Sequence, residues 1–317
     1  MKHLFSHCTL PLLATVTLAT VTLPALLAES HCPAGIVSVT PRFVQRALIV
    51  IPVRINQKGP FDFMVDTGSQ VTVIDPSLAS QLDLKPQGRV GLVSVASYAQ
   101  ASATVLDTLE ADSKVVDKSP AIVQDLRQIQ AVDPRIRGVL GESFLSHFDL
   151  LIDYGHRLLC LDETGAMRDS VRGERIPFVP PQHPKGELPF DELPFMERLV
   201  ISVQLSDTGK QPILLQLDSG SDGPILYPGS EQPEIQALVH AATLQRGSAT
   251  SAQRAFAVVP PQNMQIGNRI LSHISFVTPV FAAKDLPRQH EEGLLPTVLF
   301  QRVFISGTGH FVVFDPK

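Results

Sequence analysis

The chain has no tryptophan, three tyrosines, three cysteines and only 18% charged residues in 317. Cysteine this sparse excludes a small disulfide-framed scaffold. The charge is formally -5 and no basic stripe with interleaved aromatics occurs, so nucleic acid is excluded as a partner. The ten histidines form no HExxH pair, which leaves no zinc-peptidase signature, and metal and cofactor are both expected to be none. GLVSVAS is not a phosphate-binding glycine loop, and no serine occupies a G-x-S-x-G elbow.

What the chain does have is 26 prolines, 20 glycines and many Val, Leu, Ile and Thr residues, a composition of strands joined by punctuated loops. Its length suits two cores of about 150 residues each. The first residues read MKH, then an apolar run, TLPLLATVTLATVTLPALLA, ending in small residues. This pattern is expected of a signal peptide over 1–28, cut after Ala28 or Ser30, giving a periplasmic or secreted protein without stable membrane insertion once the segment is removed. A retained anchor is the alternative, because the run is about long enough to cross a bilayer. Removal would take Cys8 away and leave Cys32 and Cys160. In an oxidising compartment these two could pair; as reduced residues, Cys160 would be a small buried hydrophobe and Cys32 a free thiol.

An internal repeat organises the remainder. GPFDFMVDTGSQVTVID surrounds Asp66 and QPILLQLDSGSDGPILY surrounds Asp218, with an offset of 152 residues. Upstream, IPVRI at 51–55 matches ISVQL at 201–205; downstream, GVLG and DYGHRLLCLD find looser echoes in GLLP and GTGHFVVFDP. Three segments repeating in the same order indicate duplication. The expected division is 29–162 for a first lobe, 163–195 for a Pro-rich connection and 196–317 for a second lobe. Strands are expected over ALIVIPVRI, FDFMV, VTVI, AFAVVP, RILSHISFVT and HFVVFD. Short helices are expected at PSLASQLDL and PEIQALVHAATLQ, so the class is mainly β.

With an apolar strand before D-[TS]-G in each half, followed by GVLG-x-x-FL and IDYG in the first, the chain resembles the aspartic peptidase clan, closest to its retropepsin-like bacterial branch. The resemblance implies a two-lobed, acid-protease-like β-barrel fold with a cleft between the lobes. It implies an aspartic endopeptidase acting on extended peptide or protein, as a monomer with intramolecular lobe pairing. Asp66 and Asp218 would be catalytic. Gly68 and Gly220 would permit close backbone approach, Thr67 and Ser219 would cross to the opposite lobe, and Ser69 and Ser221 would hydrogen-bond the carboxylates. Tyr98, at the hairpin in the flap position, would contact substrate. The chemistry gives its own reason for paired acids: two carboxylates at about 3 Å cannot both ionise cheaply, so one keeps a proton while the other activates water.

Two departures favour a competing expectation, a catalytically inactive peptide-binding or assembly protein on the same scaffold. Pro296 stands where Gly141 stands in the first half, and Gly223-Pro224 interrupts the apolar run after Ser221. Pairing of the first lobe with another copy is a further alternative. Glu142 opens a helix and carries no catalytic signal of its own. His156 and His310, after YG and TG, read as strand-edge residues.

Overall fold

The strand LIVIPVRI shows how the sequence builds its core. From Ile51 onward, Ile51, Val53 and Ile55 are buried while Pro52 and Arg54 face solvent, the two-residue period of a half-exposed strand. It turns at Asn56 and Gln57 into Lys58–Val65, which ends at the Asp66 loop. This is a computed structural model describing residues 31–317, apart from 46, 94–97, 181–197, 245–255, 281–289 and 317. The proposed leader lies outside the described residues, as does much of the Pro-rich connection.

The fold is mainly β, in two mixed sheets and one antiparallel sheet. In the first, Lys58–Val65 runs parallel to Ile136–Leu140, which is antiparallel to Thr72–Ile74, which in turn is parallel to Lys114–Val123. The long hairpin Gly88–Val93 and Tyr98–Ala111 completes that sheet. In the second, Ile213–Asp218 runs parallel to Gly293–Pro296, which is antiparallel to Ile225–Leu226, which is parallel to Val277–Pro279. The expected strand RILSHISFVT is divided: Arg269–Ile274 closes a hairpin with Gln262–Ile266, and Val277–Pro279 joins the other end of the sheet. Both expected helices form but end sooner than expected, at Pro76–Gln81 and Pro233–His240, with Thr243–Leu244 a strand instead of helix; each has Pro in its first turn, where its missing N–H costs nothing.

The third sheet takes strands from both ends of the chain, in the order Ser38–Val39, Leu158–Asp162, Asp149–Asp153, Arg302–Ser306, Phe311–Phe314, Ile176–Pro177. At its centre Asp149 pairs with Ser306, Leu151 with Phe304 and Asp153 with Arg302, so the register is symmetric about Leu151 and Phe304. The proline-rich stretch after residue 163 is more regular than its composition suggests. It forms the helix Ala166–Ser170 and then an edge strand, the position in which Pro177 removes no ladder donor.

One cluster of buried apolar side chains runs through the first and second sheets and the third, including Val65, Leu140, Leu150, Leu217, Leu295 and Ile305. Burial of each such side chain stabilises by about 1.5–3 kcal/mol. This shared core and the third sheet make His31–Lys317 one compact unit. Cys32 and Cys160 are joined in a disulfide, which settles the choice between pairing and free thiols. Both sulfurs lie in a second apolar cluster with Leu151, Met167 and Phe304.

Candidate functional site

The two D-[TS]-G loops meet where the ends of Lys58–Val65 and Ile213–Asp218 converge. Each is held from below by its parallel neighbour: Asp66 N–H donates to Leu140 O at 3.0 Å, and Asp218 stands beside Pro296. Gly141 is required in the first half because a Cβ there would come 2.5 Å from Val71 O and 2.7 Å from Ser69 O. The second half accepts Pro296 without disturbing the Asp218 loop, whose hydrogen bonds match those of the Asp66 loop.

Those bonds are reciprocal. Thr67 N–H donates to Ser219 Oγ at 3.1 Å, and Ser219 N–H donates to Thr67 Oγ1 at 3.1 Å. The hydroxyls pass their protons onward, Thr67 to Leu217 O at 3.2 Å and Ser219 to Val65 O at 3.0 Å. All four contacts are buried. Removing the Ser219 hydroxyl would orphan a buried N–H and a buried C=O, so Ser219→Ala is expected to lower stability by about 2–4 kcal/mol in urea unfolding, with Ser219→Thr retaining most of it.

Inside this clamp, Gly68 N–H donates to Asp66 Oδ1 at 2.8 Å and Gly220 N–H to Asp218 Oδ1 at 2.7 Å. The glycines lie against the opposite acid. A Cβ on Gly68 would fall 2.8 Å from Asp218 Cγ, and one on Gly220 2.7 Å from Asp66 Cγ. Each carboxyl therefore lies beside the loop that carries the other. Asp218 is buried and Asp66 half-buried. Burial pushes both above the usual carboxylate range, and the charge of Asp66 pushes Asp218 further, while the Gly68 N–H draws Asp66 back.

The serines after the glycines behave differently from expectation. Ser69 Oγ donates to Val71 O at 2.9 Å and Ser221 Oγ to Gly223 O at 2.8 Å, each within its own loop; their backbone N–H groups, not their hydroxyls, face the carboxyls. Tyr98 begins the strand Tyr98–Ala111 opposite Val93, but its side chain and the hairpin tip at 94–97 lie outside the described residues. His156 and His310 are exposed turn residues. His156 bonds Asp153, whereas His310 shares its positive φ with Arg157, so the histidines are not counterparts in the fold.

Two polar residues at the site, Gln216 and Tyr154, went unread in the sequence, and a third, Glu142, was read only as the start of a helix. Gln216 Nε2 crosses to donate to Gly68 O at 3.0 Å; its hint was one polar residue in the run ILLQLD. Tyr154 OH meets Thr297 Oγ1 at 2.7 Å. Glu142, directly after Gly141, is buried; an acid leading into the apolar SFL was the available clue. Among the described residues no cluster of three or more His, Cys, Asp or Glu side chains is arranged to hold a metal ion. No helix among them is long and apolar enough to cross a membrane.

Residues 51–144 match the family model described as aspartyl protease, a stretch that contains Asp66 but not Asp218. Among solved structures, the chain is similar to a retropepsin-like aspartic protease from Rickettsia conorii, at 21% identity over 38% of this chain and 89% of that one, with a TM-score of 0.29. No curated protein matches.

Proposed function

We propose that this chain is an exported aspartic endopeptidase built from two tandem lobes, 29–162 and 196–317, joined by 163–195, with Asp66 and Asp218 as its catalytic pair. The observation that carries this reading is the reciprocal Thr67 and Ser219 clamp, which sets the buried Asp218 carboxyl and the half-buried Asp66 carboxyl each against the glycine of the opposite loop. Duplication is supported by the same neighbour order in the first two sheets and by the symmetric register about Leu151 and Phe304. Export is supported by the disulfide, a bond of oxidising compartments. Similarity of residues 51–144 to the aspartyl protease family supports extended peptide as the substrate class.

The chemistry follows from one shared proton. The ionised member of the pair takes a proton from water as its oxygen attacks the scissile carbonyl carbon, and the protonated member gives its proton to the carbonyl oxygen. A neutral gem-diol results. Return of a proton from the diol to one carboxylate, with proton donation from the pair to the amide nitrogen, breaks the C–N bond and restores the single shared proton. Burial serves this cycle because a desolvated pair keeps its proton where exposed acids would lose it.

Cleavage of fluorescein-labelled casein by the full-length protein, from acidic to neutral pH, tests the reading. Asp66→Asn keeps the shape of the side chain and removes its base, so cleavage should fall by about 10²–10⁴-fold. Casein cleavage at the wild-type rate by that variant would sink the proposal. Casein binding without cleavage by the wild type would favour a peptide-binding protein.

A further inference from the structure

Glu142 sits one residue beyond the glycine that supports the Asp66 loop, and its backbone N–H donates to Ser69 O at 2.8 Å within that loop. It is 4% exposed, and its Oε1 has no hydrogen-bond partner. A carboxylate in that setting is costly, because an unpaired buried charge loses its hydration without recompense.

The corresponding position in the second half is built differently. Leu140 pairs with Val65 and Leu295 with Leu217, so Glu142 corresponds to Thr297. Thr297 is also buried, but its hydroxyl is satisfied by Tyr154, which reaches over from the third sheet. By the symmetric register, Asp153 corresponds to Ser306 and therefore Tyr154 to Gly307. Gly307 lies against Ser146 with no side chain to offer Glu142. One acid of the pair thus has a neutral hydroxyl couple beside it, and the other has a carboxyl whose Oε1 is unpartnered.

Among the described residues, neighbouring elements supply nothing else that would ionise against Glu142. Asp117 and Lys118 on the adjoining strand are exposed, as is His147, and Arg137 is directed to Asp75 and Ser77. The groups closest to the helix start, Thr72, Ser119 and Ser143, are hydrogen-bonded hydroxyls. Asp66 is the charge that acts on it.

We propose that Glu142 is a positioning residue for the aspartate pair: its buried carboxyl stands beside the Asp66 loop, and its negative charge, once formed, keeps the pair's last proton in place to higher pH. The proposal rests on Asp66 and Asp218 acting as a pair. Burial first, and the charge of Asp66 second, raise Glu142 from 4.5 to about 8, so the carboxyl is neutral through the acidic range and ionises near the upper end of the neutral one. A neighbouring unit charge is worth about one pH unit or more on the pair's upper step.

The test uses the full-length protein labelled with carbon-13 at its Asp and Glu carboxyl carbons, as wild type, Glu142→Gln and Glu142→Thr, the second carrying the residue of the corresponding position. NMR titration should show one Glu resonance, lost in both variants, with a midpoint near pH 8 that moves acidward in Asp66→Asn. In both Glu142 variants the upper step of the aspartates should fall by about one pH unit or more, and the basic limb of casein cleavage with it. A Glu142 midpoint near 4.5, or an upper aspartate step unmoved in a folded variant, overturns the proposal. If the titrations are coupled but the wild type cleaves no casein, the peptidase reading fails and the coupling stands. If casein is cleaved and Asp66→Asn abolishes it while the titrations are independent, the reverse holds.

Discussion

Asp218→Asn is expected to reduce peptide cleavage by about 10²–10⁴-fold while leaving a folded monomer. The variant keeps the side-chain volume, and its amide can still accept from Gly220 N–H, so the reciprocal clamp through Thr67 and Ser219 is not disturbed. What disappears is the second titrating site, without which no proton can be both shared with Asp66 and delivered to the leaving nitrogen. The same substitution should alter stability with a predictable sign. Asp218 is raised well above 3.8 in the fold, so the native state retains a proton that the unfolded chain has released. Its contribution is therefore complete below about pH 3.8 and is lost as pH rises through the folded value. Urea unfolding of Asp218→Asn should show a weaker decline across that window than the wild type. Sedimentation checks the arrangement: an active Asp218→Asn dimer would mean that Asp66 pairs with its copy in another molecule, and the intramolecular pair would be wrong.

The sequence carried the two aspartate loops because their requirements are local. An apolar strand must end at each acid, a hydroxyl must follow to cross over, and a glycine must come next to let the other carboxyl approach, and these appear in D-T-G and D-S-G at one offset. The third sheet was less legible. Asp149–Asp153 and Arg302–Ser306 are buried almost throughout, so they show no two-residue alternation, and nothing in either segment announces that it pairs with the other. Ile176–Pro177 is too short to carry any period. Ser69 and Ser221 were placed at the right loops, but which acceptor each hydroxyl finds depends on the path of the next three residues. The one-residue offset between His156 and His310 was likewise invisible until the equally long turns at 154–157 and 307–310 could be matched by backbone geometry, which sets His310 against Arg157. Glu142 and Gln216 became significant only through what folds against them, since neither belongs to a motif.

The other large effect belongs to the disulfide. Cys32 and Cys160 are 128 residues apart in sequence, and closing a loop of that size restricts the unfolded chain by about 4–5 kcal/mol in the ideal entropy treatment. Cys32→Ala is the informative variant, because Cys160 is fully buried and a serine there would add an unsatisfied hydroxyl to an apolar cluster. Urea unfolding should show the loss in Cys32→Ala and in reduced wild type alike, and reductant should leave Cys32→Ala unchanged. Equal midpoints for oxidised and reduced wild type would mean that the bond contributes nothing to the fold. The location of the bond also predicts what opens first. Beyond it, residues 33–39 are held by the two-residue strand Ser38–Val39, by Ser38 Oγ donating to Leu159 O at 3.1 Å, and by the packing of Ile36 and Val39 on the two apolar clusters, a short edge for a sheet. Limited proteolysis after reduction should therefore cut within residues 31–41 before it reaches either aspartate loop. Casein cleavage should outlast that first cut, since Leu158–Asp162 remains paired to Asp149–Asp153, and Asp149–Asp153 to Arg302–Ser306, in the sheet that both halves share.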